Sequence, residues 1–231
     1  MRTQRLVAAT GAIYVAAVMI GNALATAGQG NVESGSAVLR ELRHRTPVQS
    51  FGVALEVVSF SALVLFLGYL YRVLRRAEGP DGWGAAGAFG AGLLATAVKL
   101  ASAGAGLAAL VRADQLTPDL ARTLSDLGGG AFVVSGYVFG IFVAVVAGAA
   151  LGSDALPRWL TITGLVVGVL TVAAGVAGVL DPVGYVPVPF LLSLAWLFVT
   201  SILLTVRGGP QGAAAGHRAA DTVPAAATAT A

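Results

Sequence analysis

Two ionisable residues sit inside apolar runs: Glu56, and Lys99, which is the chain's single lysine. A charge at mid-bilayer costs about 2.5–3.5 kcal/mol on insertion scales, so intramembrane charges pair with one another or mark a route for ions, protons or polar ligands. Glu56 precedes Tyr71, the end of its run, by 15 residues, and Lys99 follows Gly84, the start of the next, by 15. If the two runs are antiparallel helices, both charges stand about 22 Å above the shared end. Asn22 and Ser135 fall at similar depth in two other runs. This polar cluster of Glu56, Lys99, Asn22 and Ser135 has two readings. One is a static bridge that fixes helix register, with Asn22 making an ordinary interhelical hydrogen bond. The other is a site for a proton, ion or polar ligand, with Glu56 as the titrating group.

Other chemistry finds few residues. The chain has no cysteine, which excludes thiolate metal sites, disulfides and cysteine nucleophiles. Its two histidines, His44 and His217, lie outside the apolar runs, and no zinc-binding helix motif, nucleophile elbow or phosphate loop is present. The sequence therefore predicts no catalytic set, no metal site, no cofactor and no enzyme activity. A net charge of +3 and a pI near 9.7 would suit nucleic acid. The arginines, however, sit at the ends of apolar runs and do not gather on an aromatic-rich surface, so nucleic acid is not an expected partner.

Glycine spacing gives a packing signal. Gly136, Gly140, Ala144, Gly148 and Gly152 recur every fourth residue, and Gly164, Gly168, Thr171, Gly175 and Gly178 follow three-and-four spacing. Each set makes a smooth helical stripe on which another backbone can approach closely. A connection of about five residues joins the two runs, so the stripes are expected to face each other within the chain. A homo-oligomeric seam is the alternative.

These residues need helices in a bilayer to position them. The chain is 57% hydrophobic and 11% charged, with a mean hydropathy of +0.84, far from the balance of a water-soluble domain. Apolar runs at 6–27, 50–71, 84–111, 128–151, 157–180 and 185–206 are each long enough to cross a hydrocarbon core of about 30 Å. The expected fold is all-α, a six-transmembrane-helix bundle over residues 1–207, with 208–231 a disordered cytoplasmic tail. Ala25-Thr26-Ala27 resembles a signal-peptidase site, but the first run is longer than the roughly 7–15 residues of a secretory h-region, so it is expected to be retained as a span. Between the first two runs, Val38, Leu39 and Leu42 share one helical face, which predicts a short surface helix. Thr117-Pro118-Asp119 predicts another, reaching about Leu127.

With the N-terminus inside, Arg2, Arg5, Arg72, Arg75, Arg76, Arg158, Arg207 and Arg218 are cytoplasmic, against Arg40, Arg43, Arg45, Arg112 and Arg122 outside. This excess predicts both termini in the cytoplasm. Tyr69, Tyr71, Trp83 and Trp159 would mark the inner interface and Tyr185 the outer one. Arg72, Arg75 and Arg76 are read as anchors to anionic headgroups, and Asp154 with Pro157, Arg158 and Trp159 as setting the start of the fifth span. An alanine-, glycine- and arginine-rich composition suggests GC-rich bacterial coding, hence a bacterial plasma membrane.

The stretch Leu156-Pro157-Arg158-Trp159-Leu160, the glycine-bearing span after it, and a last span ending near Arg207 resemble the bacterial integral membrane proteins grouped as domain of unknown function 4386. The likeness covers most of residues 5–207, including an acidic residue in the second span, here Glu56, and a basic one in the third, here Lys99. Thr161 stands where glycine commonly follows the motif. The resemblance implies a six-helix fold and carries no activity with it. The sequence thus favours a non-catalytic membrane scaffold or accessory protein, partnered by membrane lipids and by another membrane protein or a second copy. The alternative is a small-solute or proton-coupled transporter using Glu56 and Lys99.

Overall fold

The computed structural model describes residues 2–27, 34–79, 82–153, 155–181 and 184–207. Among them the chain is all-α, with no strand: α1 (Arg2–Ala25), α2 (Gly35–Arg43), α3 (Pro47–Glu78), α4 (Gly84–Val111), α5 (Pro118–Ala150), α6 (Arg158–Leu180) and α7 (Val188–Arg207). All but α2 are long and apolar enough to cross a membrane, so six described helices are candidate spans and the chain reads as a multi-pass membrane protein. The tail 208–231 and Asp154 lie outside the described residues.

Each long helix packs on its sequence neighbour, and α7 returns to α1, giving a closed ring. α5 also touches α3 and α7 and is the most enclosed span. Large apolar side chains face outward along the perimeter: Phe51, Val58 and Leu65 at heptad spacing on α3, and Ile162, Val166, Val169 and Val176 on α6. Such an exterior suits lipid, and an exposed apolar patch of this size would be unusual on a water-soluble monomer.

Local signals set the helix starts. Thr46 and Gln49 form a reciprocal capping box with Pro47 in the first turn of α3, and Thr117 accepts the Leu120 N–H with Pro118 following. The Gln49 side chain also donates to the Ala27 carbonyl at 2.9 Å, fastening α3 to the end of α1. Several boundaries differ from the sequence expectation. α5 is one helix of 33 residues through Gly128-Gly129-Gly130, where a short helix and a separate span were expected. Glycine weakens an isolated helix by about 1 kcal/mol per residue. Here the segment is held by α2, which buries Val38 and Leu39 against Ala109, Leu116 and Ala121, and by a Ser102 hydroxyl donating to the Gly128 carbonyl at 3.0 Å. Close approach of α2 to the start of α5 requires Gly35, since a Cβ there would strike the Pro118 carbonyl. The last helix starts at Val188 and leaves 185–187 outside it.

One end of the ring carries α2 (the α2 end), and Arg2 and Arg207 lie at the other (the termini end). The termini half is solid: Phe66, Leu67, Leu70 and Leu74 of α3 meet Phe142, Val143 and Val146 of α5 and Leu197 of α7, all buried. There α7 locks onto α1 through Ser201, whose hydroxyl donates to the Ala8 carbonyl at 2.6 Å and accepts the Ala12 N–H at 2.8 Å. Tyr69, read from sequence as an interfacial marker, is instead turned into the bundle at 8% exposure, while Trp83 and Trp159 do face outward. Arg75 also departs from a pure headgroup role, since its guanidinium donates to the Gly79 and Gly82 carbonyls and ties the α3–α4 connection.

Candidate functional site

α3 descends from the α2 end and α4 climbs back to it, which brings Glu56 and Lys99 to one level. Lys99 Nζ lies 3.2 Å from Glu56 Oε1, with the side chains 24% and 18% exposed respectively. Lys99 Nζ also stands 4.7 Å from the centre of the Phe132 ring on α5, a cation–π distance. The ammonium therefore has a carboxylate on one side and an aromatic face on another.

The pair lies on the wall of a cavity of about 740 Å³ that α1, α3, α4, α5 and α7 enclose. Its deepest residues are Tyr14, Leu63, Ala95, Phe139 and Leu194, where the solid termini half begins. Its rim includes Thr26, Ser125, Gly129 and Pro187, so the cavity opens toward the α2 end. Most of the lining is apolar, with Phe60, Phe132, Phe139 and Phe190 prominent. A small set of polar groups in a largely apolar concavity of a few hundred Å³ is the usual form of a small-molecule site.

Asn22 and Ser135 both line this cavity, so the four residues singled out from sequence depth share one space. Their states differ. Asn22 is exposed near the mouth. The Ser135 hydroxyl donates to the Phe132 carbonyl at 2.7 Å, one turn back on its own helix, and is buried. Tyr14, Thr96 and the four phenylalanines were not anticipated. Tyr14 and Asn22 share a face at i and i+8, as do Phe132 and Phe139 at i and i+7, so helical spacing held that signal.

The glycine stripes are partly a seam. A Cβ on Gly140 would lie 2.7 Å from the Val172 nitrogen, one on Gly168 2.6 Å from the Ala144 nitrogen, and one on Gly175 2.6 Å from Tyr137 Cβ, so α5 and α6 touch backbone to backbone here. The other members do not join it. Gly136 faces Tyr185 and Phe190, and Gly178 faces Tyr185 and Val133, so Tyr185 fills a notch between them. Gly164 receives the indole of Trp196 from α7, whose N–H donates to the Leu160 carbonyl at 2.8 Å. Gly148 and Gly152 face open space, on the wall of a depression of about 730 Å³ at the termini end. The helices cross, and beyond Ala144 they have diverged.

The stretch 156–160 has a structural division of labour. Leu156 and Leu160 are buried, Pro157 precedes the first residue of α6, and Arg158 and Trp159 point outward. Thr161, at 1% exposure, folds its hydroxyl back onto the Pro157 carbonyl at 3.2 Å. Among the described residues, no group of three or more histidine, aspartate or glutamate side chains comes together to hold a metal. Comparison with protein families, curated proteins and solved structures finds no match to this chain.

Proposed function

We propose that the bundle is a membrane-embedded binding protein for a small molecule whose polar group is held by Glu56 and Lys99, and that it acts as a carrier or receptor for that molecule. The observation that carries this reading is a half-buried ion pair on the wall of a roomy, one-ended, mostly apolar cavity. A purely structural bridge would gain from close packing around it, which lowers the local dielectric and strengthens the contact. A second, scaffold reading draws on the 3.2 Å contact itself, which neutralises both charges with no ligand. Catalysis has no support from the residues on the cavity wall, where no nucleophile stands beside a base, and the protein is proposed not to be an enzyme.

The termini end is proposed to face the cytoplasm of a bacterial cell, on the eight-to-five arginine distribution, with membrane lipids around the apolar perimeter. The likeness of residues 156–160 to domain of unknown function 4386 belongs to the same proposal. The test is a thermal-shift survey of purified protein against amines, carboxylates and zwitterions of graded chain length, followed by uptake of the best binder into proteoliposomes. A stabilisation that disappears in both Glu56→Gln and Lys99→Met supports the reading. No shift with any compound refutes it.

A further inference from the structure

Resting on the ligand-site reading above, we infer that the cavity takes a zwitterionic amphiphile, an alkyl chain with an anionic group next to an ammonium, and admits it sideways from the bilayer between α1 and α7.

The entry route follows from which seams around the cavity are shut. α1 and α3 meet at Gly21 and Gly52 so closely that a Cβ on Gly52 would lie 2.5 Å from the Ala25 nitrogen. α3 and α4 are bridged by the ion pair, α4 and α5 by Ser102 with Gly128, and α5 and α7 by Phe132 edge-on to Phe190. α1 and α7 are locked at the termini end through Ser201, but at cavity level each presents an exposed wall residue: Met19 at 45% and Leu191 at 43%. Met19 lies six residues inside the end of α1, about 9 Å below it. With the membrane surface at the end of α1, what reaches the gap at that depth is lipid.

The chemistry of the occupant follows from the wall. Most of the wall is apolar, and Phe132 and Met19 stay partly uncovered, so a free polar solute would leave apolar surface against water, whereas a chain threading from the α1–α7 gap covers it. A purely anionic head drawn to Lys99 would pull it from Glu56 and leave unpaired a carboxylate that keeps only 18% of its exposure, and a purely cationic head would strand Lys99 in the same way. A zwitterion exchanges one pair for two. Its anionic group meets Lys99, which keeps the Phe132 face, and its ammonium meets Glu56.

Native mass spectrometry of the full chain in a neutral maltoside detergent tests this with three probes at equal concentration: lysophosphatidylethanolamine, lysophosphatidic acid and chain-free glycerophosphoethanolamine. The expected result is at least tenfold greater retention of lysophosphatidylethanolamine than of either other probe, with a loss of at least tenfold in Glu56→Gln and in Lys99→Met. Met19→Trp combined with Leu191→Trp should slow its uptake at least tenfold. Leu192→Trp, at an outward position that does not line the cavity, should leave uptake unchanged. Equal retention of the chain-free probe would overturn lateral entry and leave the ligand site standing as one for aqueous solutes. Equal retention of lysophosphatidic acid would overturn the zwitterion, and unslowed uptake in the double tryptophan variant would overturn the route. If the wild-type protein retained none of the three, the inference would fall, and the thermal-shift survey would decide the ligand-site reading separately.

Discussion

Removing either member of the Glu56–Lys99 pair strands the other, and the structure allows the size of that effect to be worked out. At 3.2 Å the attraction is about 5 kcal/mol for an effective dielectric of 20 and about 1 kcal/mol in bulk water. Side chains that keep 24% and 18% of their exposure on a cavity wall lie between those limits. Some of the attraction is cancelled by the cost of taking both charges out of water. A coupling energy of about 1–3 kcal/mol is the net expectation, below the roughly 3–5 kcal/mol lost when a fully buried pair is broken. Glu56→Gln and Lys99→Met should each destabilise the bundle, and the double variant should lose less than the sum of the two. Phe132→Leu provides a third arm. Its cost of about 0.5–1 kcal/mol through the cation–π contact should vanish once Lys99 is methionine. Equilibrium unfolding in mixed micelles, with a denaturing detergent as the perturbant, measures all of these. Additivity of the two single variants to within about 0.5 kcal/mol would refute the reasoning, because that is how distant, independent sites behave.

At the α5–α6 seam, Gly140→Ala and Gly168→Ala should each cost about 1–3 kcal/mol by pushing the backbones apart, whereas Gly148→Ala, in open space, should be neutral or gain up to about 1 kcal/mol from helix propensity. Thermal unfolding in detergent decides this, and a lowered melting temperature for Gly148→Ala would contradict the seam. Ser201→Ala should cost less than about 1 kcal/mol, because the Ala12 N–H and Ala8 carbonyl it releases are i→i−4 partners that can close on each other; a loss of about 3 kcal/mol or more would rule out that closure. Six crossings place Arg5→Cys and Arg207→Cys on one side of the membrane and His44→Cys and Gln115→Cys on the other. An impermeant thiol reagent checks this against no native background, and a mixed pattern would exclude six spans.

The six spans were legible because hydropathy and length act locally, and the level of Glu56 and Lys99 was legible because helix rise is regular. The break expected near Gly128 failed for a tertiary reason: α2 and Ser102 hold that segment in the helix, and nothing in the glycine run announces them. The glycine stripe was correct at Gly140 and Gly168 and incorrect at Gly148 and Gly152, since periodicity reports a face but not the point where crossing helices part. The cavity was legible at its polar wall, through Asn22, Glu56, Lys99 and Ser135, but not in its size. Its room comes from small residues on separate helices, Ala95, Thr96 and Gly128 among them, each of which alone looks like ordinary packing. Phe132 was missed because its significance lies in its neighbour, Lys99, on another helix.

The placement of the three tryptophans gives the unaltered chain a means of reporting how it sits in a membrane. Trp83, before α4, and Trp159, at the start of α6, both stand at the termini end with 76% and 55% exposure, while Trp196 is enclosed at 5%. Indole fluorescence then divides into an accessible pair at one face and a protected third emitter. Iodide added outside sealed vesicles should dim the pair when the termini end faces outward and leave it bright when that end faces the lumen, with Trp196 as an internal reference in both cases. The orientation of a vesicle preparation can thus be read optically, with no label and no substitution.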